Sequence, residues 1–418
     1  MSECRHSEIC GLPVMDSLAG LCILHSHLKD KDVREFRKAL KKHRETRGDQ
    51  FAHMVFPAEA DFVDATFSAG ADFTDATFSA RAYFTTTTFS AGANFTRALF
   101  SAGADFVEAT FSARANFADV TFSAGADFVG ATFAAGADFA GATFAAGADF
   151  FRATFAAGAD FFRATFAAGA DFTRVLFSAG DVSFRQSRFR GRSLFIPEQA
   201  VEAQQVSRIF TAATAVDFRD IVIEPPESLS FRHADFRTCR FLNTDLRKVE
   251  LTGALWPQKC ARRVVYDEIA PIPGEPYPWD ELERLYRELK QNYDDRRNYA
   301  RSGDFHYGEK EMQRRNPATP PGLKVFLWLY WLVSGYGERF LRPLLWALGF
   351  WTLATVGYLL SSLSPAKEAG VPALAIADPA TWGHAVLYSL QVMLFFRPPD
   401  FVLSTVLAKT IYTRHYRV

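Results

Sequence analysis

Large apolar residues recur along this chain with a period that suits neither an ordinary helix nor a long strand. Phenylalanine stands at 62, 67, 73, 78, 84, 89, 95, 100, 106 and 111, and the alternation of five- and six-residue steps continues to 172 and 177. The unit is eleven residues, Ala-Asp/Asn-Phe-x-x-Ala-Thr-Phe-Ser/Ala-Ala-Gly, and eleven copies run without a gap from Ala60 to Gly180. An 11-residue period also suits a right-handed helical coiled coil. That structure needs apolar residues three and four apart, so steps of five and six, with frequent Thr and Gly, exclude it. In an extended chain, side chains two apart share a face. Each Phe therefore points inward with the Ala two before it. The Asp, Asn or Thr between them points out, Tyr83 and Leu99 being exceptions. Gly70, Gly103, Gly125, Gly136, Gly147, Gly158 and Gly169 are expected to relax the corners, with Ala80 and Arg81 in the corresponding stretch of a variant copy. No coil would be stable alone; stacking supplies the core, and burying each Phe contributes roughly 1.5–3 kcal/mol before entropy.

The Ala-Asp-Phe-x-x and Ala-Thr-Phe-x-x halves resemble pentapeptide repeats over about residues 60–256. The resemblance implies a right-handed quadrilateral β-helix with four short faces, hence about two 11-residue units per coil. The fold class is thus mainly β, with α-helical flanks and, at the C-terminus, a transmembrane helix.

Beyond Gly180 the rhythm blurs. Phe184 and Phe189 continue it, IPEQAVEAQQVSRIF interrupts, and five-residue spacing returns at Phe231, Phe236, Phe241, Leu246 and Leu251, with Trp256 as an end cap. The expected organisation is a Cys/His segment and capping helix over 1–50, the solenoid over 51–256, a Pro-rich linker over 257–279, a helical hairpin over 280–318 and a membrane region over 322–418. In the capping helix Val33, Phe36 and Leu40 share one face. In the hairpin Leu282, Leu285, Tyr286 and Leu289 keep helical spacing, Asp280 is the expected N-cap and Gly303 the expected stop. His306, Glu309 and Glu311 read as a solvated helix face rather than an acid–base cluster.

LKVFLWLYWLVSGYG, from Leu323, suits an interfacial helix. Residues 343–363 form a run of about 21 without a charge, the expected bilayer-spanning segment. Arg314, Arg315, Lys324, Arg339 and Arg342 precede it and only Lys367 follows nearby. That bias implies an inner-membrane protein with its repeats in the cytoplasm. TWGHAVLYSLQVMLFF and FVLSTVLAKTIY are apolar but short, the first suiting a re-entrant or pore-type helix. The region resembles the C-terminal anchor of some bacterial pentapeptide-repeat proteins, some of which look like two-helix ion channels; no TVGYG-like filter is present.

Near the other end, Cys4, Cys10, Cys22 and His25 have the spacing C-x5-C-x11-C-x2-H, which suits a structural zinc ion. His6 and His27 compete for the fourth position. Three of five cysteines lie there while Cys239 and Cys260 stand apart, which fits a reducing compartment rather than a disulfide framework. Lys plus Arg equals Asp plus Glu at 47 each, so overall charge indicates no nucleic-acid partner. Between residues 60 and 180 twelve acidic groups face six basic ones, with Asp61, Asp72, Asp105, Asp127, Asp138, Asp149, Asp160 and Asp171 at equivalent outward positions. Some pentapeptide-repeat proteins mimic DNA and protect gyrase, which makes a gyrase-interacting mimic one alternative; Arg152, Arg163 and Arg174 dilute the mimicry. A channel or sensor subunit is another. No phosphate loop, nucleophile elbow or paired-carboxylate signature points to an enzyme. The leading expectation is a membrane-anchored, non-catalytic scaffold, with the bilayer at 343–363, an unidentified protein on the solenoid faces, and self-association open.

Overall fold

The computed structural model describes residues 4–10, 12–15, 20–28, 31–198, 209–211, 213–360, 363–365, 379–394 and 401–403. It divides into two units, Met1–Pro317 and Ala318–Val418. In the first unit, two-residue strands stack into four parallel faces, three of eight strands and one of six. Val55 pairs with Thr77, Ala60 with Ala82, Thr66 with Thr88 and Ala71 with Ala93, so each coil takes 22 residues, two of the 11-residue units. The four-faced solenoid foreseen from the repeats is present.

Its core is aromatic throughout. Phe117 lies parallel to Phe95 and Phe139 in the adjacent coils, at 4.8 Å to each. It meets Phe106 and Phe128 of the opposite side edge-on at 5.5 and 5.6 Å. Strand spacing sets the stacking distance, and edge-to-face contact across the tube is a favourable quadrupole arrangement. The Ala before each Phe is small enough to let the rings interdigitate, and Ala104, Ala115 and Ala126 are buried.

The corners differ from expectation. The left-handed backbone lies at the second residue after the first Phe of each unit: Asp64, Asp75, Thr86, Arg97, Glu108, Asp119, Gly130, Gly141, Arg152, Arg163 and Arg174, with φ between 54° and 69°. Of the glycines expected to relax corners, only Gly169 has a positive φ, at 104°. A Cβ on Gly125 would meet nothing nearer than 3.9 Å, whereas one on Gly169 would lie 2.2 Å from the Arg192 carbonyl oxygen. The reason is a change of coil length. Ala159 pairs with Val182 and Thr165 with Arg188, a step of 23, and the extra residue crowds the backbone there. Gly180 then pairs with Thr214 across the interrupting segment, of which 199–208 lies outside the described residues. The last coils tighten: Ser230 meets Glu250 and Asp235 meets Leu255, 20 residues apart.

Each end of a parallel solenoid leaves unpaired backbone groups. At the N-terminal end lie α1 (Ser7–Cys10) and α2 (Val33–Arg47). Asp32 caps α2, accepting from the N–H groups of Arg34 at 2.7 Å and Glu35 at 3.3 Å. Phe36 packs edge-on against Phe56, and His43 bonds the Gln50 carbonyl at 2.6 Å. At the other end come α3 (Tyr266–Ile269), α4 (Trp279–Asp295) and α5 (Tyr299–Arg315). The Asn292 amide donates to the carbonyls of Leu246, Arg247 and Val249 at 2.6, 3.2 and 2.8 Å. The buried Asp267 carboxylate accepts the Phe241 N–H at 2.9 Å. Trp256 packs at a tilt against the final rings, Phe236 and Phe241, and donates to the Tyr293 hydroxyl.

Three hairpin details differ from expectation. Asp280 sits in the first turn of α4 rather than at its N-cap, and accepts from Asn316 at 2.7 Å. Gly303 is buried inside α5, and α4 ends instead at Asp295, with Arg297 left-handed and Asn298 capping α5. Glu309 and Glu311 are buried, not solvated, and pair with Arg287 at 3.2 Å and Arg314 at 2.9 Å.

The second unit contains α6 (Pro321–Ser334), α7 (Leu341–Leu360) and α8 (Pro379–Met393). Gly335, at φ 57°, ends α6, and Arg342 donates to the Trp331 carbonyl at 2.6 Å. Tyr358, Leu359, Ala385 and Tyr388 form a small core, and Thr355 meets Ser389 at 2.8 Å. Among the described residues, no helix is long and apolar enough to cross a membrane. This overturns the transmembrane helix expected at 343–363 and, with it, the inner-membrane anchor. Within α7 the charge-free part runs only from Pro343 to Leu360, about 27 Å of helix against a hydrocarbon core of about 30 Å. Its apolar character is interrupted by Gly349, Thr352, Thr355 and Gly357. The remainder of the expected span at 361–362, and the apolar segments at 395–396 and 404–412, lie outside the described residues.

Candidate metal centre

Cys4, Cys10, Cys22 and His25 converge although they are spread over 22 residues. One ligand atom from each lies within 4.8 Å of all the others, and all four side chains are buried. The local chain explains the convergence. The Cys4 carbonyl accepts from Ser7 N–H at 2.8 Å and the His6 carbonyl from Cys10 N–H at 3.1 Å, which winds α1 between the first two thiols. The Cys22 carbonyl accepts from His25 and Ser26 N–H, closing a tight turn that brings the last two together. Arg5 N–H to the Gly20 carbonyl, at 2.7 Å, joins the halves.

The donor geometry suits a tetrahedral ion. Cys10 Sγ lies 3.6 Å from Cys22 Sγ, and a tetrahedron with metal–sulfur bonds of 2.3 Å has edges of about 3.8 Å. His25 Nδ1 lies 3.2 Å from Cys22 Sγ and 3.6 Å from Cys4 Sγ. Its other ring nitrogen lies 3.3 Å from the Ala52 carbonyl oxygen. A proton held there by Ala52 leaves Nδ1 as the lone-pair donor, a second-shell arrangement typical of metal-binding histidines. The Cys22 N–H also donates to Cys4 Sγ at 3.2 Å. Contact with Cys10 and burial push the Cys22 thiol up to about 11, while the same contact lowers Cys10. Burial and the neighbouring sulfur thus oppose ionisation of Cys22 unless a cation compensates it. Of the rival histidines, His6 lies tilted against His25 at 4.8 Å and stacks on His53 at 4.6 Å, and His27 is exposed.

Sequence reasoning missed two residues that seat this knuckle on the solenoid. The Ala52 carbonyl ties it to the first coil. Buried Lys31 donates to the carbonyls of Ile23, Ser26 and Val55 at 3.2, 2.8 and 2.6 Å, and burial pushes its ammonium down to about 8. No pattern marks either, because a backbone carbonyl has no sequence signature and one lysine reads as surface.

The outward aspartates also have work inside the fold. Asp105, Asp127, Asp149 and Asp171 align in register on one face. Each accepts the N–H two residues ahead: Val107 at 3.1, Val129 at 3.0, Phe151 at 2.8 and Thr173 at 2.7 Å. Asn94 and Asn116 do the same. The Asp/Asn alternation was the available signal for this turn-forming role. Burial, reinforced by the neighbouring carboxylates, raises Asp127 and Asp149 above the ordinary carboxylate range.

No curated protein and no solved structure matches the chain. A family model described as "Pentapeptide repeats (9 copies)" matches residues 51–99, 84–132 and 106–154. The register of the coils and this match agree, and the chain carries a segment of pentapeptide repeats over residues 51–154.

Proposed function

We propose that this chain is a non-catalytic interaction scaffold whose N-terminal knuckle holds one structural zinc ion through Cys4, Cys10, Cys22 and His25. The observation that carries the scaffold reading is the in-register repetition itself. Rows such as Asp105–Asp127–Asp149–Asp171, and Thr121–Thr143–Thr165 on a neighbouring face, offer a partner protein flat, rigid surfaces with a fixed rise per coil. Rigid presentation reduces the ordering cost of association. A closed set of three thiolates and one imidazole suits zinc in a structural role. When bound, zinc supplies a four-way cross-link; Ala52 and Lys31 transmit that order to the first coil.

Metal analysis of the full-length protein tests the first part: one zinc per chain is expected, and Cys22→Ser should reduce it to a trace. For the second, a photo-crosslinking residue placed at Thr143 or at Asp149 should capture one defined protein from one face only. Equal capture from both faces, or from neither, would sink the scaffold reading.

A further inference from the structure

Helix α2 carries an excess of positive charge on its exposed side. Arg34, Arg37, Lys38, Lys41 and Lys42 follow the spacing i, i+3, i+4, i+7, i+8, which at 100° per residue gathers them into one stripe. The stripe faces away from Phe36 and His43, the buried residues of the helix. All five are exposed, and among the described residues none is paired with a carboxylate.

Several arginines of the solenoid instead meet carboxylates. Arg81 meets Asp105, Arg97 meets Asp75, Arg114 meets Asp138 and Arg237 meets Asp235. On α2 itself only Arg44 has such a partner, Asp49. Two acids share the helix: Glu35 lies beside the stripe and Glu45 ends it, four residues after Lys41, while Glu59 and Asp61 line the cleft beside Arg37 and Lys41. Like charges three and four apart on a helix repel, so the stripe opposes the helix that carries it. A chain with equal numbers of acidic and basic residues can hide such a local excess in its total.

We propose that α2 is a docking surface for the phosphate backbone of a nucleic-acid duplex. Charge density favours that occupant. The stripe spans eight residue rises, about 12 Å, over which a duplex presents about seven phosphates, one per 1.7 Å. Folded protein surfaces interleave both signs, as the solenoid faces here do, and would leave part of the stripe unmatched. Capping by Asp32, the Phe36–Phe56 contact and the His43–Gln50 bond hold the helix on the first coil, so its cations are presented without prior folding. Such contacts attract without reading base sequence.

The test uses the full chain and a fluorescently labelled random-sequence DNA duplex, titrated between 50 and 200 mM salt. Five neutralised phosphates predict a slope of log K on log salt of about −4.5, a loss of about 500-fold across that range. Lys38→Glu with Lys41→Glu should abolish binding at 100 mM salt while metal content and circular dichroism stay unchanged. Arg152→Gln with Arg163→Gln, outside the stripe, should bind as the parent does. Binding that survives the double reversal, or that varies little with salt, overturns the proposal. So does polyglutamate that competes as well as unlabelled duplex at equal charge, which would assign the stripe to an acidic protein.

Discussion

At the scale of single residues, identical letters in the repeat do unlike jobs. Gly125 and Gly169 occupy the same place in the eleven-residue unit, yet only Gly169 is left-handed and pressed against the Arg192 carbonyl. Gly125→Ala should therefore raise stability by about 0.4–1 kcal/mol, through the unfolded chain. Gly169→Ala should lower it by on the order of 1–3 kcal/mol. Thermal unfolding of the two variants side by side checks the opposite signs. The sequence made the core legible to the residue, because a Phe at alternating steps of five and six has one use. It did not make the corners legible. Left-handed backbone falls on Thr86, Arg97 and Glu108, residue types that do not announce it, while the conspicuous glycines mostly have ordinary φ. The aspartates read from sequence only as an outward row; their turn-forming bonds are signalled by Asn94 and Asn116 in the same place.

At the scale of elements, the solenoid is made stable at its ends. Asn292 satisfies three carbonyls of the last coil from more than forty residues away, and no local pattern could have revealed a contact of that range. Asp267 pays a different role: its carboxylate holds the Phe241 N–H in a site where burial pushes it up to about 6. Since the folded value exceeds the ordinary one, the folded state binds the extra proton. The ionised group is then a penalty at neutral pH that is relieved as pH falls through 6, on the order of 3 kcal/mol for a shift of about two units. Asp267→Asn keeps an oxygen acceptor for Phe241 and should stabilise the protein at pH 7. The difference between variant and parent should shrink steadily from pH 7 to pH 4. Chemical denaturation across that range measures it; a constant difference would show that charge is not the cause. The helices of the second unit carry the main misreading. The absence of charge after Pro343 predicts a span by length alone, whereas within α7 that stretch reaches only Leu360 and contains Gly349, Thr352, Thr355 and Gly357.

At the scale of the whole molecule, stacking makes stability a matter of neighbours. The knuckle touches the solenoid through Leu24, His25 and Lys31, at Ala52 and Val55. Chelation should thus speed hydrogen exchange in residues 4–28 and in the coil containing Val55. Amides between 93 and 160 should keep their parent rates. Uniform acceleration along the chain would show instead that the fold melts as one body.

The 22-residue coil has a consequence for how this chain can change over generations. Because Thr121, Thr143 and Thr165 occupy interchangeable places, each bonded to its neighbours in one register, a duplicated or deleted stretch of 22 codons rejoins without mismatch. Each such event would shift the separation between the two caps by one strand spacing, about 4.8 Å, and leave both caps untouched. Length is therefore inherited in whole steps, and unequal exchange between near-identical repeats can lengthen or shorten the molecule without having to invent a new surface.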